Sequence, residues 1–72
     1  MPKGAIRCEM AGLILSIGVK PGDQVAEGDT LAVIEAMKMR REILSPHQGV
    51  VREILAKEGE IVDFDYVLMV VT

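Results

Sequence analysis

The residue best placed to do chemistry in this chain is Lys38, which stands between two methionines in the run Glu35-Ala36-Met37-Lys38-Met39. Its side chain ends in an amine, a nucleophile that an acylating enzyme can capture once its proton has been removed. The run lies at the middle of the chain, with 37 residues before Lys38 and 34 after it. Leu31-Ala32-Val33-Ile34 on one side is apolar and β-prone, and Arg40-Arg41-Glu42 on the other is charged. The economical reading is a hairpin reversal near Met37 and Lys38 that presents the amine at an exposed tip. Methionines gain little burial at such a turn and otherwise belong to cores or adaptable binding surfaces. We therefore expect a partner that reads them.

No other constellation competes with Lys38. His47 has no second His or Cys and no spaced carboxylate, so it reads as a turn histidine and no metal site is expected. Cys8 reads as a small strand residue. The eleven acidic residues are scattered, as on a solvated surface and not as in a paired-carboxylate active site. With no serine, histidine and acid set either, no catalytic residue is assigned, and the chain is expected not to be an enzyme by itself.

The whole chain bounds what Lys38 can belong to. Seventy-two residues make one small domain, spanning 1–72, with little margin of stability once chain entropy is counted. One cysteine excludes an internal disulfide and suits a reducing compartment, the cytoplasm or the mitochondrial matrix. Half of the residues are apolar, yet no run approaches the roughly 18 residues that span a bilayer, so no membrane insertion is expected. A net charge of −3 with two aromatic residues, Phe64 and Tyr66, argues against nucleic acid, which calls for a basic surface and stacking rings.

The elements that must position Lys38 emerge from an internal repeat. Shifting the chain by 37 positions lays Gly12–Ile34 over Gly49–Val71 without a gap, and seven of the 23 pairs are identical: Gly12/Gly49, Ile17/Ile54, Lys20/Lys57, Gly22/Gly59, Val25/Val62, Leu31/Leu68 and Val33/Val70. Two similar β-units related by an approximate two-fold follow, joined by the hairpin at 35–39 and closing on each other as a sandwich or flattened barrel. The repeat also decides an ambiguous stretch. Arg52–Glu58 consists of good helix formers, but its counterpart Leu15–Pro21 holds an interior glycine and a proline, which no stable helix would choose. Both segments are read as strands running into turns.

Strands are thus predicted at Ala5–Glu9, Gly12–Val19, Gln24–Val25, Thr30–Glu35, Met39–Leu44, Gly49–Leu55, Ile61–Val62 and Val67–Val71. Turns are predicted at 21–23, 27–29, 45–48 and 58–60, where Gly, Pro, Asp and Ser concentrate. Asp65 stands where the repeat has Gly28, and Asp is among the few residues tolerated at left-handed backbone angles.

Ala36-Met37-Lys38-Met39, the glycines and the turns Val19–Asp23 and Val25–Asp29 together resemble the biotinyl (biotin carboxyl carrier) domains of biotin-dependent carboxylases and decarboxylases, in the biotin/lipoyl attachment family. Four specified residues of average usage would arise by chance in a chain this long about once in a few thousand sequences. The resemblance implies an all-β fold, a flattened barrel or sandwich of two four-stranded antiparallel sheets, with the termini together at the end opposite the modified hairpin. The short connection from Val19 to Val25 corresponds to the form without the extra "thumb" loop. It further implies that biotin is attached covalently to Lys38, with Glu35, Ala36, Met37 and Met39 as the hairpin recognised by a biotin protein ligase. Biotin would be carboxylated at a biotin carboxylase site and deliver the carboxyl group to, or receive it from, a carboxyltransferase or decarboxylase. Lys3, Lys20 and Lys57 fall in the leader or in repeat turns and are not expected to be modified. Cys8-Glu9-Met10-Ala11-Gly12 departs from the family, which often has prolines in this first turn.

Two alternatives belong to other classes: a lipoyl-type acyl carrier, whose hairpin typically carries Asp-Lys-Ala, and an unmodified lipoyl-like interaction module, which would have no use for Lys38. Phe64 and Tyr66 occupy the repeat positions of Glu27 and Asp29. They either cover the open end of the core or form a docking patch for a carboxylase or carboxyltransferase subunit.

Overall fold

The structure, a computed structural model, describes residues 4–72; Lys3 of the expected leader lies outside them. Eight strands follow one another: β1 (Ala5–Arg7), β2 (Gly12–Ile17), β3 (Gln24–Val25), β4 (Thr30–Ala36), β5 (Met39–Leu44), β6 (Gly49–Ile54), β7 (Ile61–Val62) and β8 (Val67–Val71). They form two four-stranded antiparallel sheets, in the orders β1-β8-β6-β3 and β5-β4-β2-β7. Moving each strand 37 residues along the chain turns one order into the other, so the two-fold read in the sequence is the symmetry of the sandwich.

The repeat supplies the core. Ile14 and Val51, Leu31 and Leu68, Ile34 and Val71, and Val25 and Val62 are all buried between the sheets. A fully buried aliphatic side chain of this size contributes about 1.5–3 kcal/mol relative to an exposed one. The turns interlock the halves reciprocally. Gly22 N–H donates to Val51 O at 2.7 Å and Gly59 N–H to Ile14 O at 2.7 Å, while Asp23 O accepts from Val51 N–H and Glu60 O from Ile14 N–H. Inside each turn a carboxylate closes the loop: Asp23 Oδ2 accepts from Lys20 N–H at 2.9 Å, and Glu60 Oε1 from Lys57 N–H at 3.0 Å. These bonds need a chain reversal at 57–60, which is why the helix-forming composition of Arg52–Glu58 yields to a strand ending at Ile54.

The last residues of four strands differ from the sequence expectation, while their first residues agree with it. β1 stops at Arg7 and not Glu9, because Cys8 N–H turns to Tyr66 O and Cys8 O accepts from Asp65 N–H. β2 stops at Ile17 and β6 at Ile54, after register shifts in their pairing with β4 and β8. β4 continues through Ala36, which pairs with Met39. The repeat also reaches further back than Gly12. Ile6 matches Ile43, and the buried Cys8 matches the buried Ser45. Asp29 O and Tyr66 O are equivalent acceptors for the N–H groups of Ser45 and Cys8.

Gly4 O accepts from Val71 N–H, and Thr72 exchanges backbone bonds with Val50. Both described ends of the chain therefore sit at the pole opposite the β4–β5 reversal, as the resemblance implied. The β2–β3 connection is short, with no added loop.

Candidate functional site

The pairing of Ala36 with Met39 leaves Met37 and Lys38 as the whole of a two-residue loop. Their φ angles are 53° and 64°, both left-handed, which defines a type I′ turn and matches the right-handed twist of the flanking strands. Such turns usually take Asn-Gly. A side chain at left-handed angles costs about 1–2 kcal/mol per residue, and the β4–β5 ladder, paired from Thr30–Leu44 to Ala36–Met39, holds the loop there. The turn position was legible in the sequence; its type was not, since Met-Lys carries no I′ signature.

Register assigns the faces. Ala32, Ile34 and Ala36 of β4 point to the core and are buried, and they pair with Ile43, Arg41 and Met39 of β5. Along that shared face exposure grows toward the tip, from half-buried Ile43 to exposed Arg41 and Met39. The opposite face carries the pairs Glu35–Arg40 and Val33–Glu42. The ladder therefore runs out of the core before it turns. Met37 is 95% exposed and Met39 58% exposed, so neither is a core residue. Lys38 is exposed, and no hydrogen bond or ion pair holds its amine among the described residues. All five hairpin residues named from the sequence are thus brought together.

Lys20 and Lys57 are also exposed, but each lies in a carboxylate-closed turn and not in this hairpin. His47 sits in the β5–β6 turn, where its O accepts from Ser45 Oγ at 2.6 Å. Among the described residues no group of His, Cys, Asp or Glu could hold a metal ion.

The two aromatic residues part company. Tyr66 is half-buried and packs on the core, with its hydroxyl 3.4 Å from Glu60 Oε2. Phe64 is 70% exposed and cannot be a core cover. Asp65 between them adopts φ 71° in place of the repeat's glycine, and its Oδ2 lies 3.4 Å from Arg7 Nη1, which also donates to Asp65 O. Beside Phe64 a groove of about 550 Å³ runs between β1 and β5, lined by Ile6, Met10, Ile34 and Arg41 among others. Ile61, 80% exposed, drew no attention in the sequence. The available clue was that its repeat mate is Gln24.

Burial pushes the Cys8 thiol above its ordinary value of 9.0, helped by the Glu60 carboxylate. The Tyr66 hydroxyl is raised above 10.0 by lost hydration and then by Glu60. Both groups keep their protons to higher pH in the folded chain than in the unfolded one. Their ionisation thus leaves stability untouched below the unfolded values and lowers it as pH rises past them. The melting temperature is expected to start falling above about pH 9, and less steeply in Cys8→Ser, which installs the residue that the second half carries at this place. Equal slopes in the two proteins would remove Cys8 from the account.

The family described as "Biotin-requiring enzyme" matches residues 4–71. The chain is 38% identical over 64 residues to a biotin/lipoyl attachment protein of Bacillus subtilis (strain 168), covering 89% of this chain and 88% of that protein. It is 46% identical over 54 residues to pyruvate carboxylase of Aspergillus niger, covering 75% of this chain but 4% of that enzyme. The crystal structure of Kluyveromyces lactis urea carboxylase superposes with a TM-score of 0.88 at 29% identity, over 94% of this chain and 6% of that one.

Proposed function

The chain belongs to the biotin-requiring-enzyme family as a biotin carboxyl carrier domain, and from that premise we propose that Lys38 is the residue that bears the biotin. The observation that carries this is the exposed amine, without a partner among the described residues, on a two-residue turn flanked by two exposed methionines. The site fits the group: Lys38 is exposed, and among the described residues nothing bonds to its Nζ. When bound, biotin supplies the ureido nitrogen that takes up a carboxyl group and gives it back.

The chain's own residues then have three tasks. Lys38 Nζ forms the amide with the carboxyl carbon of biotin, and the adenylate that activates that carbon leaves as AMP. The ammonium proton must depart first. No base of this chain is bonded to Lys38 among the described residues, so the ligase provides one. Afterwards the β4–β5 ladder holds the root of the arm fixed while the lysine methylenes let its end move between a biotin carboxylase and a carboxyltransferase or decarboxylase. The carrier, a single domain over 1–72, has no catalytic residue of its own in this scheme. Tethering raises the local concentration of the carried group at each partner site. A reducing compartment, cytoplasm or mitochondrial matrix, suits its one buried thiol.

The test is intact mass after incubation with a biotin protein ligase, biotin and ATP, followed by peptide mapping. One biotinyl group on the Lys38 peptide is expected; no addition, or addition at Lys20 or Lys57, refutes the assignment. Moving the amine one place along the loop, by Met37→Lys with Lys38→Met, keeps the composition of the tip but changes the direction of the amine. The labelling rate is expected to fall at least about tenfold, a loss of roughly 1.4 kcal/mol in the transition state. Equal rates would mean that the ligase reads a flexible peptide.

A further inference from the structure

The hairpin carries a second chemistry besides the amine, in the sulfur atoms of Met37 and Met39. The fold sorts the thioethers of the described residues into two groups. Met37 is almost fully exposed and Met39 more than half exposed, whereas Met69 is 0% exposed in the core and Met10 is half-buried against it. Register fixes how close the open pair stands to the amine. Met37 shares the two-residue loop with Lys38, and Met39 closes that loop opposite Ala36, so the Cα of each is about 3.8 Å from that of Lys38.

A hydroperoxide oxidises methionine by transfer of one oxygen. The sulfur attacks the outer peroxide oxygen, the O–O bond breaks as the S–O bond forms, and water or an alcohol leaves; sulfur gives up two electrons and the peroxide takes them. A flexible apolar side chain becomes a polar one. The reaction needs contact with sulfur, so exposure sets its order: Met37, then Met39, with Met69 last. Cys8, the remaining sulfur, does not compete. It is buried, and burial keeps its thiol protonated, whereas the thiolate is the reactive form.

We propose that Met37 and Met39 are a reversible oxidation site at which a hydroperoxide shuts off acylation of Lys38, an inference that rests on the assignment of Lys38 as the attachment residue. An enzyme that deprotonates and acylates Nζ must enclose the amine, and side chains one residue away on a two-residue loop enter the same contact. A sulfoxide carried into a contact shaped for a thioether loses its water without gaining a partner. Neither methionine belongs to the core, so the hairpin keeps its fold while its surface changes. Methionine sulfoxide reductases, one for each sulfoxide epimer, reverse the step: the oxygen leaves as water and a dithiol is oxidised to a disulfide. Such a carrier stays unloaded while hydroperoxide is present and becomes loadable again once thiol reductants prevail.

The full chain, not yet biotinylated, is treated with graded hydrogen peroxide, freed of it, mapped by peptide mass and then given a purified ligase, biotin and ATP. Met37 and Met39 should each gain one oxygen before Met69 does, and labelling at Lys38 should slow about tenfold, as for one polar group buried without a partner. The melting temperature should not move, and both reductases with dithiothreitol should restore the rate. Met37→Leu with Met39→Leu removes the two sulfurs; whatever its own rate, that chain should be labelled equally fast before and after peroxide. An unchanged rate in chain oxidised at both positions, an equal peroxide loss in the leucine variant, or a melting temperature that falls in step with labelling overturns the proposal. If the leucine variant is labelled too slowly to measure, the wild-type chain decides, and a rate that the reductases do not restore overturns it. Failure of untreated wild-type chain to be labelled at Lys38 would instead strike the underlying assignment.

Discussion

Lys38→Arg is expected to abolish biotinylation completely while leaving the melting temperature unchanged. Arginine preserves the cation and the length of the side chain, but its guanidinium does not lose a proton in proteins and cannot serve as the acylated amine. The fold has no stake in the exchange. Lys38 is exposed, lacks a hydrogen-bonded partner among the described residues, and contributes to the turn through its backbone angle, a strain that arginine would bear equally. Intact mass and streptavidin binding after ligase treatment read the first half of the expectation, and a thermal melt reads the second. Residual labelling in the variant would show that another amine is the attachment point.

Gly12→Ala should damage the fold, and it should act on the hairpin as well. A Cβ at Gly12 would run into the backbone carbonyl of Glu35, with Ile34 Cγ1 at 3.0 Å. Backbone is the obstacle, so no rotamer change relieves it. Overpacking of this kind costs about 1–3 kcal/mol. A domain of 72 residues holds only about 4–11 kcal/mol in total. At about 4–8 °C per kcal/mol for a small domain, melting should fall by about 4–24 °C. Glu35 is also two residues from Met37, so a displaced β4 end shifts the turn, and the labelling rate at a permissive temperature should fall too. Gly49→Ala is the symmetry-related control. Its Cβ would meet the carbonyl of Thr72 at 2.9 Å, at the pole without Lys38, so stability should drop while labelling of the folded fraction is preserved. Equal labelling losses in both variants would separate the hairpin from its support at Gly12.

Much of this was legible in the chain itself. A 37-residue repeat with matched glycines and matched buried aliphatics dictates two like β-units, because period-two apolar patterning and turn residues act locally and leave their mark in composition and spacing. For the same reason β3, β5, β7 and β8 have the predicted bounds, and Lys38 falls in the two-residue loop. Only the packed structure decided the rest. The ends of β1 and β2 depend on bonds from Cys8 and Ile17 to partners 58 and 41 positions away, at Tyr66 and Glu58, and no local pattern encodes these. The left-handed angles at Met37 and Lys38 are imposed by strand twist against the preference of both residues. Phe64 and Tyr66, two positions apart in sequence and alike in chemistry, separate because Tyr66 reaches the core and Glu60 while Phe64 stays exposed. Whether an apolar side chain is buried is settled by what the opposite sheet places over it, and that is a property of the assembled sandwich.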